Sequence, residues 1–286
     1  MDSTRRPSRI RRPRPGAAPR PALNPGPALN LGPLPARPPA VPPAIAPHAE
    51  HGEQTQRLNK YLSERGLCSR RQADEWIAAG RITVNGLVAT LGTPIGPNDV
   101  VQVDGRAVGA EARHVYLALH KPPGIECTTD RRVEDNIIDF IAHRERIFPI
   151  GRLDKFSEGL ILLTNNGDIV NSLLRAENGH EKEYVVTVDQ PVTDEFLQVM
   201  ARGMLILGQM TRPARTWRVA KNVFAIVLTQ GLNRQIRRMC EECGYVVRRL
   251  VRVRIVNVHL DGLARGQWRN LTRPELERLL PGRTDW

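Results

Sequence analysis

The chain has 286 residues, a formal net charge of +12 at neutral pH and a sequence pI near 10.4. This length suggests about two domains. The positive charge predicts an anionic partner, with nucleic acid ahead of an acidic membrane surface. Four cysteines are too few for a disulfide framework in a chain of this size. Without an apolar run of about 18 residues or a secretory signal, we expect a cytoplasmic protein with no membrane span.

The first 55 residues hold 14 of the 23 prolines, mixed with arginine, alanine and glycine. Because this segment has no periodic apolar face, it cannot bury enough surface to offset its chain entropy. We therefore predict a disordered tail over residues 1–55, partly in the polyproline II conformation. Its arginines either add weak, salt-sensitive RNA affinity or only solvate the segment. The tail carries a net +5, so the remaining +7 makes the rest of the chain basic as well.

The segment after the tail combines two short helices with short strands. Residues 57–62 have helical apolar spacing, and Ser69 is a candidate N-cap for a second helix over residues 70–79. Residues 81–86 predict a strand that ends in an Asn-Gly turn, and residues 100–103 predict another strand.

These elements resemble the S4 RNA-binding domain, over residues 56–105. The similarity lies in four ordered segments: Arg57-Leu-Asn-Lys-Tyr-Leu62, Cys68-Ser-Arg-Arg-Gln-Ala73, Ala79-Gly-Arg-Ile-Thr-Val-Asn-Gly86 and Asp99-Val-Val-Gln-Val103. The resemblance implies that this domain contacts RNA. Arg70, Arg71 and Arg81 are the candidate contacts, since we expect them at or near helix ends, beside free backbone N–H groups that suit phosphate. The alternative is that these arginines are ordinary solvated surface.

Residues 106–114 are predicted to link this domain to a second one over residues 115–281. The predicted strands are 115–120, 159–164, 183–188, 223–230 and 246–255, the last as one strand or two. The predicted helices are 168–175, 194–202, 233–243 and a last helix from the capping box Thr272-Arg-Pro-Glu275 to about Leu280. Strands outnumber helices and do not alternate with them regularly. The predicted fold class is therefore α+β, with a mostly antiparallel sheet.

Asp154 lies between two cations, Arg152 and Lys155, in a glycine-bounded segment just before an apolar strand. Spacing alone leaves two interpretations open. The carboxylate is either a catalytic group or one member of a surface ion pair that contributes little to stability.

A basic face is predicted on the helix over residues 233–243. Arg234, Arg237 and Arg238 are spaced i, i+3, i+4 and so share one side of that helix. Such a stripe is often only a solvated face, but its one-sidedness favours a track for RNA phosphates. Arg252 and Arg254 alternate with apolar residues on a predicted strand and would extend that track.

Cys240 and Cys243 have the spacing of a metal-ligand pair. No second pair of ligands lies near them in sequence, so we expect two half-buried thiols on a helix and no metal. No GxxxxGK[ST] motif and no convincing GxGxxG motif occurs. We therefore predict a protein that needs no cofactor.

Three ordered motifs resemble those of the RsuA/RluA-type pseudouridine synthases. They are Arg152-Leu-Asp154 with Ser157-Glu-Gly-Leu-Ile-Leu-Leu-Thr164, Lys182-Glu-Tyr184, and Gly231-Leu-Asn-Arg-Gln-Ile-Arg-Arg-Met239. The resemblance implies that Asp154 is the catalytic nucleophile, that Tyr184 lies against the target base and that Arg237 is the cation paired with Asp154. It also implies a set of RNA or pocket contacts: Arg152, Lys182, Arg234, Ile236 and Arg238.

A narrower similarity, to RluF-type enzymes, is carried by residues 180–189, 231–241 and 266–272. It implies a uridine of 23S ribosomal RNA as the target, with the anticodon loop of a tyrosine tRNA as a second candidate. We expect the enzyme to act as a monomer.

To isomerise, the target uracil must leave its stack, break its N-glycosidic bond and rejoin the ribose through C5. Tyr184 offers an aromatic face to the extruded base and is one candidate for the group that removes the C5 proton. Asp154 must be ionised to attack. It attacks either ribose C1′, as in retaining glycosidases, or by a route through C2′ or the uracil ring, and both routes stay open.

Other functions compete with this one. A non-catalytic S4-type RNA-binding factor for ribosome assembly would also be basic, and the same reaction at a small-subunit rRNA site would use the same motifs. A DNA-binding function has little support beyond charge. The combination of Asp154, Tyr184 and Arg237 favours an enzyme, because a pure binder needs no such carboxylate.

Removal of residues 1–54 is expected to leave activity largely intact, because a segment that buries little surface contributes little to folding. Pseudouridine formation on ribosomal RNA and thermal unfolding, compared between the truncated and full-length proteins, measure this. Loss of cooperative folding on truncation would contradict the disordered-tail prediction.

Overall fold

The computed structural model describes residues 55–110, 112–174 and 179–284. The tail predicted over residues 1–55 therefore lies, apart from Thr55, outside the described residues. The same holds for Glu111 of the predicted linker and for Arg175 at the end of a predicted helix. None of the helices in the described ranges is long and apolar enough to cross a membrane.

The N-terminal part consists of two helices packed on short strands. Its elements are β1 (Gln56–Arg57), α1 (Leu58–Glu64), α2 (Arg70–Ala78), β2 (Ile82–Val84), β3 (Leu87–Val88), β4 (Pro94–Ile95), β5 (Val101–Val103) and β6 (Arg106–Ala107). The predicted N-cap of α2 is confirmed, since the Ser69 side chain accepts a hydrogen bond from the backbone N–H of Gln72. The predicted linker begins too early, because β6 pairs with β5 and completes a four-stranded sheet.

The C-terminal part contains the remaining elements. They are β7 (Tyr116–Lys121), α3 (Ile137–Ile141), β8 (Phe148–Ile150), β9 (Glu158–Thr164), α4 (Asp168–Leu174), β10 (Lys182–Val188), α5 (Asp194–Arg202), β11 (Leu205–Ile206), β12 (Gln209–Met210), β13 (Arg215–Ala220), β14 (Val223–Leu228), α6 (Gln235–Glu242), β15 (Val247–Ile255), β16 (Val258–His259), β17 (Trp268–Asn270) and α7 (Arg273–Leu279). The predicted capping box is confirmed at the start of α7, where Thr272 and Glu275 bond reciprocally. Helix α6 begins two residues later than predicted, because Arg234 takes a left-handed conformation with φ 51° as its N-cap.

One large sheet organises the C-terminal part. Within the described residues it has nine strands, with the main order β13-β14-β10-β15-β9-β7-β17, while β16 pairs with β15 and β8 with β9. Strands β9 and β15 pair in parallel, whereas the other pairs in this sheet are antiparallel. The α+β prediction with a mostly antiparallel sheet is confirmed.

Both faces of the sheet are covered by apolar residues. Along β9, Ile161 and Leu163 pack into a cluster shared with α3, α5 and α6, while Leu160 and Leu162 pack into a second cluster with α4 and α7. A strand buried on both sides needs apolar residues at successive positions. This is why its sequence is a continuous apolar run rather than an alternating one.

Gly159 allows β9 and β15 to approach closely. It has φ +114°, and a Cβ at this position would lie only 2.5 Å from the amide nitrogen of Arg252 and would also clash with its carbonyl group. Since the contact is with backbone, no side chain can turn aside to make room. The pairing that places β15 beside the start of β9 therefore requires glycine at position 159.

Glu158 is buried beside that pairing and has two arginines and a histidine as hydrogen-bond partners. Its carboxylate lies 2.9 Å from Arg249, 3.0 Å from Arg265 and 3.2 Å from the His120 ring. Burial acts to raise the pKa of Glu158, but the hydrogen bonds and charges of these partners outweigh it and lower the pKa to about 2. The cluster joins β7, β9, β15 and the loop before β17.

Replacement of Gly159 by alanine is expected to destabilise the fold by about 3 kcal/mol or more, because the new methyl group meets backbone that cannot move aside. Chemical denaturation measures the free energy of unfolding. Gly262→Ala is the control, since Gly262 also has positive φ but has open space around its Cβ position. Equal losses in the two variants would show that the close approach contributes nothing.

Glu158→Gln is expected to destabilise the protein by about 1–3 kcal/mol at pH 7. The folded-state pKa of Glu158 lies below its ordinary 4.5, so its stabilisation is present above pH 4.5 and is lost as the pH falls toward about 2. Unfolding free energies at a series of pH values should therefore fall less steeply with acid in the variant. Glu277→Gln, at an exposed position, is the control. An acid dependence identical to that of the wild type would disprove the role of this cluster.

Candidate active site

A cleft of about 520 Å³ opens between the segment before β9 and the start of α6. Its walls include six of the residues that the sequence singled out: Arg152, Asp154, Tyr184, Arg234, Ile236 and Arg237. These residues come from three segments that are far apart in sequence. The structure thus places the proposed nucleophile, base platform and cation around one cavity.

Asp154 starts a tight turn that leads into β9. The backbone N–H of Ser157 donates to the Asp154 carbonyl at 3.0 Å and closes the turn. Asp154 lines the cleft and is partly exposed, while Leu153 just before it and Ser157 three residues after it are buried. The carboxylate is therefore open to a substrate, although the backbone that carries it is anchored on both sides.

Lys121 anchors this turn from the protein interior. Its side chain is fully buried, and its Nζ donates to the carbonyl groups of Pro122 at 2.9 Å, Lys155 at 3.1 Å and Ser157 at 2.9 Å. Burial lowers the pKa of Lys121 to about 8, and the charge of Asp154 is one of the influences that oppose this. The ammonium thus ties the end of β7 to the turn that carries Asp154.

Arg237 lies in the cleft wall on α6. Its guanidinium donates to the Val247 carbonyl at 3.3 Å and to Ser157 Oγ at 3.5 Å. Burial lowers the pKa of Arg237, as does Arg234, whereas Asp154 acts to raise it. Asp154 is thus a charge neighbour of Arg237, and no hydrogen bond or ion pair from the described residues engages the Asp154 carboxylate oxygens.

Tyr184 forms the wall shared by this cleft and a second, adjoining cavity. It lies on β10, is 8% exposed and belongs to the apolar cluster that contains Ile236. The second cavity also contacts Lys182 and Arg152. Burial lowers the pKa of Lys182 to about 8, with the charge of Arg252 acting in the same direction.

The predicted extension of the phosphate track by Arg252 and Arg254 is wrong. Arg252 is buried and donates to the Leu160 carbonyl at 2.7 Å, while Arg254 forms ion pairs with Glu181 and Glu183. The pairing of β15 with β10 is also irregular between Arg252 and Arg254, whose partners are consecutive on β10 although the two arginines are two residues apart. Such a bulge breaks the regular alternation that would have placed both guanidinium groups on one face.

The other predicted RNA contacts lie outside the cleft. Arg238 donates to the Asn233 carbonyl at the start of α6. Arg70 and Arg71 are exposed in the first turn of α2. Arg81 instead follows the C-terminal end of α2, where carbonyl rather than N–H groups are unpaired, and it forms an ion pair with Asp104.

Cys240 and Cys243 lie at the end of α6. Two half-buried thiols on a helix were predicted, whereas Cys240 is fully buried and Cys243, the C-cap of α6, is partly buried. Burial raises the pKa of Cys240 to about 12, which keeps its thiol protonated. No group of three or more potential metal ligands occurs in the described parts of the chain.

Sequence reasoning missed the supporting residues Lys121 and Gln230. Gln230 lines the cleft and accepts a hydrogen bond from the Arg212 N–H at 2.6 Å, while Lys121 lies one residue beyond the predicted end of its strand. The run Pro122-Pro-Gly124 indicates a turn after Lys121. It does not indicate that Lys121 is buried, because a lysine at a strand end usually points to solvent. Only the three-dimensional arrangement shows its three carbonyl partners.

Comparisons with known proteins agree with this geometry. The family model for RNA pseudouridylate synthase matches residues 115–242, and the S4 domain model matches residues 56–101. The dual-specificity RNA pseudouridine synthase RluF of Escherichia coli (strain K12) is 54% identical over 222 residues, which cover 77% of each chain. Ribosomal large subunit pseudouridine synthase B of Bacillus subtilis (strain 168) is 36% identical over 233 residues, 78% of this chain and 95% of the relative.

A solved structure described as a pseudouridylate synthase has a TM-score of 0.57 and 29% identity to this chain. The similarity covers 78% of this chain and 99% of that one. Sequence and fold comparisons therefore agree over both folded parts. The chain belongs to the RNA pseudouridylate synthase family of isomerases, with an S4 domain ahead of its catalytic domain.

Proposed function

We propose that this isomerase converts a uridine of 23S ribosomal RNA to pseudouridine, with Asp154 as its nucleophile, and that it acts as a monomer in the cytoplasm. The large-subunit target is supported by the name of the Bacillus subtilis relative. The dual specificity named for the Escherichia coli relative supports a second RNA target. The anticodon loop of a tyrosine tRNA is the second target that the motif resemblance favours.

One observation carries the catalytic assignment. The Asp154 carboxylate opens into the same cleft as the Arg237 guanidinium and the Tyr184 ring, on a turn whose backbone is fixed by Lys121. A fixed backbone with a free carboxylate is the arrangement that nucleophilic catalysis requires. A protein that only binds RNA would gain nothing from leaving a carboxylate open among arginines.

The reaction follows from these positions. An extruded uracil enters between Tyr184 and Ile236, and the Arg237 guanidinium supplies a cation beside the Asp154 carboxylate as the glycosidic bond breaks. Attack at ribose C1′ and the route through C2′ or the uracil ring both begin from this carboxylate. After the uracil turns, Tyr184 in the cleft wall is a candidate for removal of the C5 proton.

Arginines around the cleft support RNA binding. Arg152 and Arg234 are exposed and line its opening, while Lys182 lines the adjoining cavity. In the S4 domain, Arg70 lies 3.9 Å from Asp168 at the start of α4, and Lys60 lies 2.9 Å from the same carboxylate. These pairs connect the S4 helices to the catalytic domain. The RNA contacts of both domains are therefore proposed to act on one substrate.

Asp154→Ala is expected to retain RNA affinity but to reduce pseudouridine formation by at least about 1,000-fold, since a covalent nucleophile is lost. Ribosomal RNA and tRNA from cells that contain only the variant or only the wild-type protein are compared by carbodiimide-dependent primer-extension stops. Sites present only with the wild-type protein identify the target nucleotide.

Asp261→Ala is the matched control, because this aspartate is 91% exposed and far from the cleft in sequence. It is expected to modify RNA at the wild-type rate. Wild-type activity in the Asp154 variant would disprove the nucleophile assignment. Loss of a stop in small-subunit RNA alone would disprove the 23S target, and no difference at any site would favour a non-catalytic assembly factor.

A further inference from the structure

Phe156 is an aromatic side chain that the catalytic scheme leaves unused. It lies two residues after Asp154 and is 73% exposed, the highest value among the large apolar side chains of the described residues that are exposed. Full exposure of a phenylalanine ring in water is unfavourable by about 2 kcal/mol relative to burial. A ring held in the open beside a nucleophile suggests a partner that covers it during function.

The turn that carries Phe156 is rigid. The turn is closed by the hydrogen bond between Asp154 and Ser157, and the carbonyl of the preceding Lys155 accepts from the Gly124 N–H at 2.8 Å and from Lys121 Nζ. The carbonyl of Ser157 is held by the same ammonium. Because its neighbours are fixed on both sides, the exposed ring has little backbone freedom to lose on binding.

Phe156 also faces a basic cavity. A space of about 1,190 Å³ outside the cleft is lined by Glu126, Cys127, Thr128, Arg152, Leu153, Asp154, Lys155, Phe156, Arg234 and Arg237. Four of these residues are cationic and two are carboxylates. An apolar ring among arginines and lysine suits a partner that combines flat apolar faces with negative charge, and RNA has both.

We propose that the Phe156 ring stacks on the nucleobase next to the extruded uridine and so positions the RNA over Asp154. This inference rests on the proposed function and extends it to a neighbouring nucleotide. The target base itself belongs to the inner cleft, against Tyr184, so the outer ring is available to the next base. The same turn thereby fixes both the nucleophile and its distance from the flanking nucleotide.

Stacking of this kind tolerates different bases, because each has a π face. The ring therefore increases affinity and positions an unpaired neighbouring nucleotide, but it does not select a particular base. Stem-paired neighbours are disfavoured, since their faces are already covered by adjacent pairs. The consequence is a preference for uridines whose flanking nucleotide is unstacked.

The test uses the full-length protein and RNA stem–loops with a single uridine in the loop, whose 5′ or 3′ neighbour is either intact or abasic. Equilibrium binding is compared for wild type, Phe156→Ala and Phe156→Tyr. We expect the alanine variant to bind the intact RNA about tenfold more weakly and the tyrosine variant to resemble wild type. With the stacked neighbour abasic, wild type should show the same loss and alanine no further loss.

Trp217→Ala is the control, because Trp217 is an exposed aromatic on the edge strand β13 and does not line the three cavities around Asp154 and Tyr184. It should bind like wild type. Wild-type affinity in Phe156→Ala would overturn the proposal and would leave a protein as the partner that covers the ring. An equal loss on intact RNA and on both abasic RNAs would overturn it too. Since binding is the readout, failure of the wild type to form pseudouridine would refute the proposed function instead.

Discussion

Three backbone carbonyl groups converge on the ammonium of Lys121, and the geometry of the whole site depends on that convergence. Lysine rarely occupies a fully buried position unless its charge is paired or hydrogen-bonded. Here two of the three acceptors, the carbonyls of Lys155 and Ser157, belong to the segment that carries the candidate nucleophile. The position of Asp154 is therefore set by a strand of the central sheet rather than by the loop itself, which is a more rigid support than a surface loop provides.

Strand order explains how distant motifs reach one cleft. Strand β9 lies between β7 and β15, and β10 lies on the other side of β15. The turn before β9, the ring of Tyr184 on β10 and the start of α6 thus meet at one region of the sheet. Gly159 lets β9 and β15 come close enough for this, and the ion cluster of Glu158 holds the same region from the side.

Much of this could be predicted from sequence, and the exceptions have physical causes. The double-sided apolar run of β9, the caps of α2 and α7 and the bounds of α5 are local signals, so they were visible without coordinates. Strands such as β11 and β12 have two residues each and are too short for any periodicity to show. The motif resemblance indicated which residues share the cleft. The hydrogen bonds that hold them could be identified only from the three-dimensional structure.

Arg252 and Arg81 show a second limit. The alternation rule placed Arg252 and Arg254 on one open face, but Arg252 is buried and the strand pairing is irregular between the two residues. Arg81 was predicted to contact phosphate, yet it forms an ion pair with Asp104. A charged residue's neighbours across the sheet or turn decide its role, and sequence spacing gives no access to them.

The left-handed backbone of Arg234 has a consequence for how this protein can change. Any residue other than glycine at φ 51° costs on the order of 1 kcal/mol, so glycine there would make the chain more robust to heat. Glycine would also remove a guanidinium from the mouth of the cleft. Selection for thermal stability therefore favours glycine at this residue, whereas selection for substrate binding favours arginine. A heat-adapted form that keeps the arginine must gain stability elsewhere.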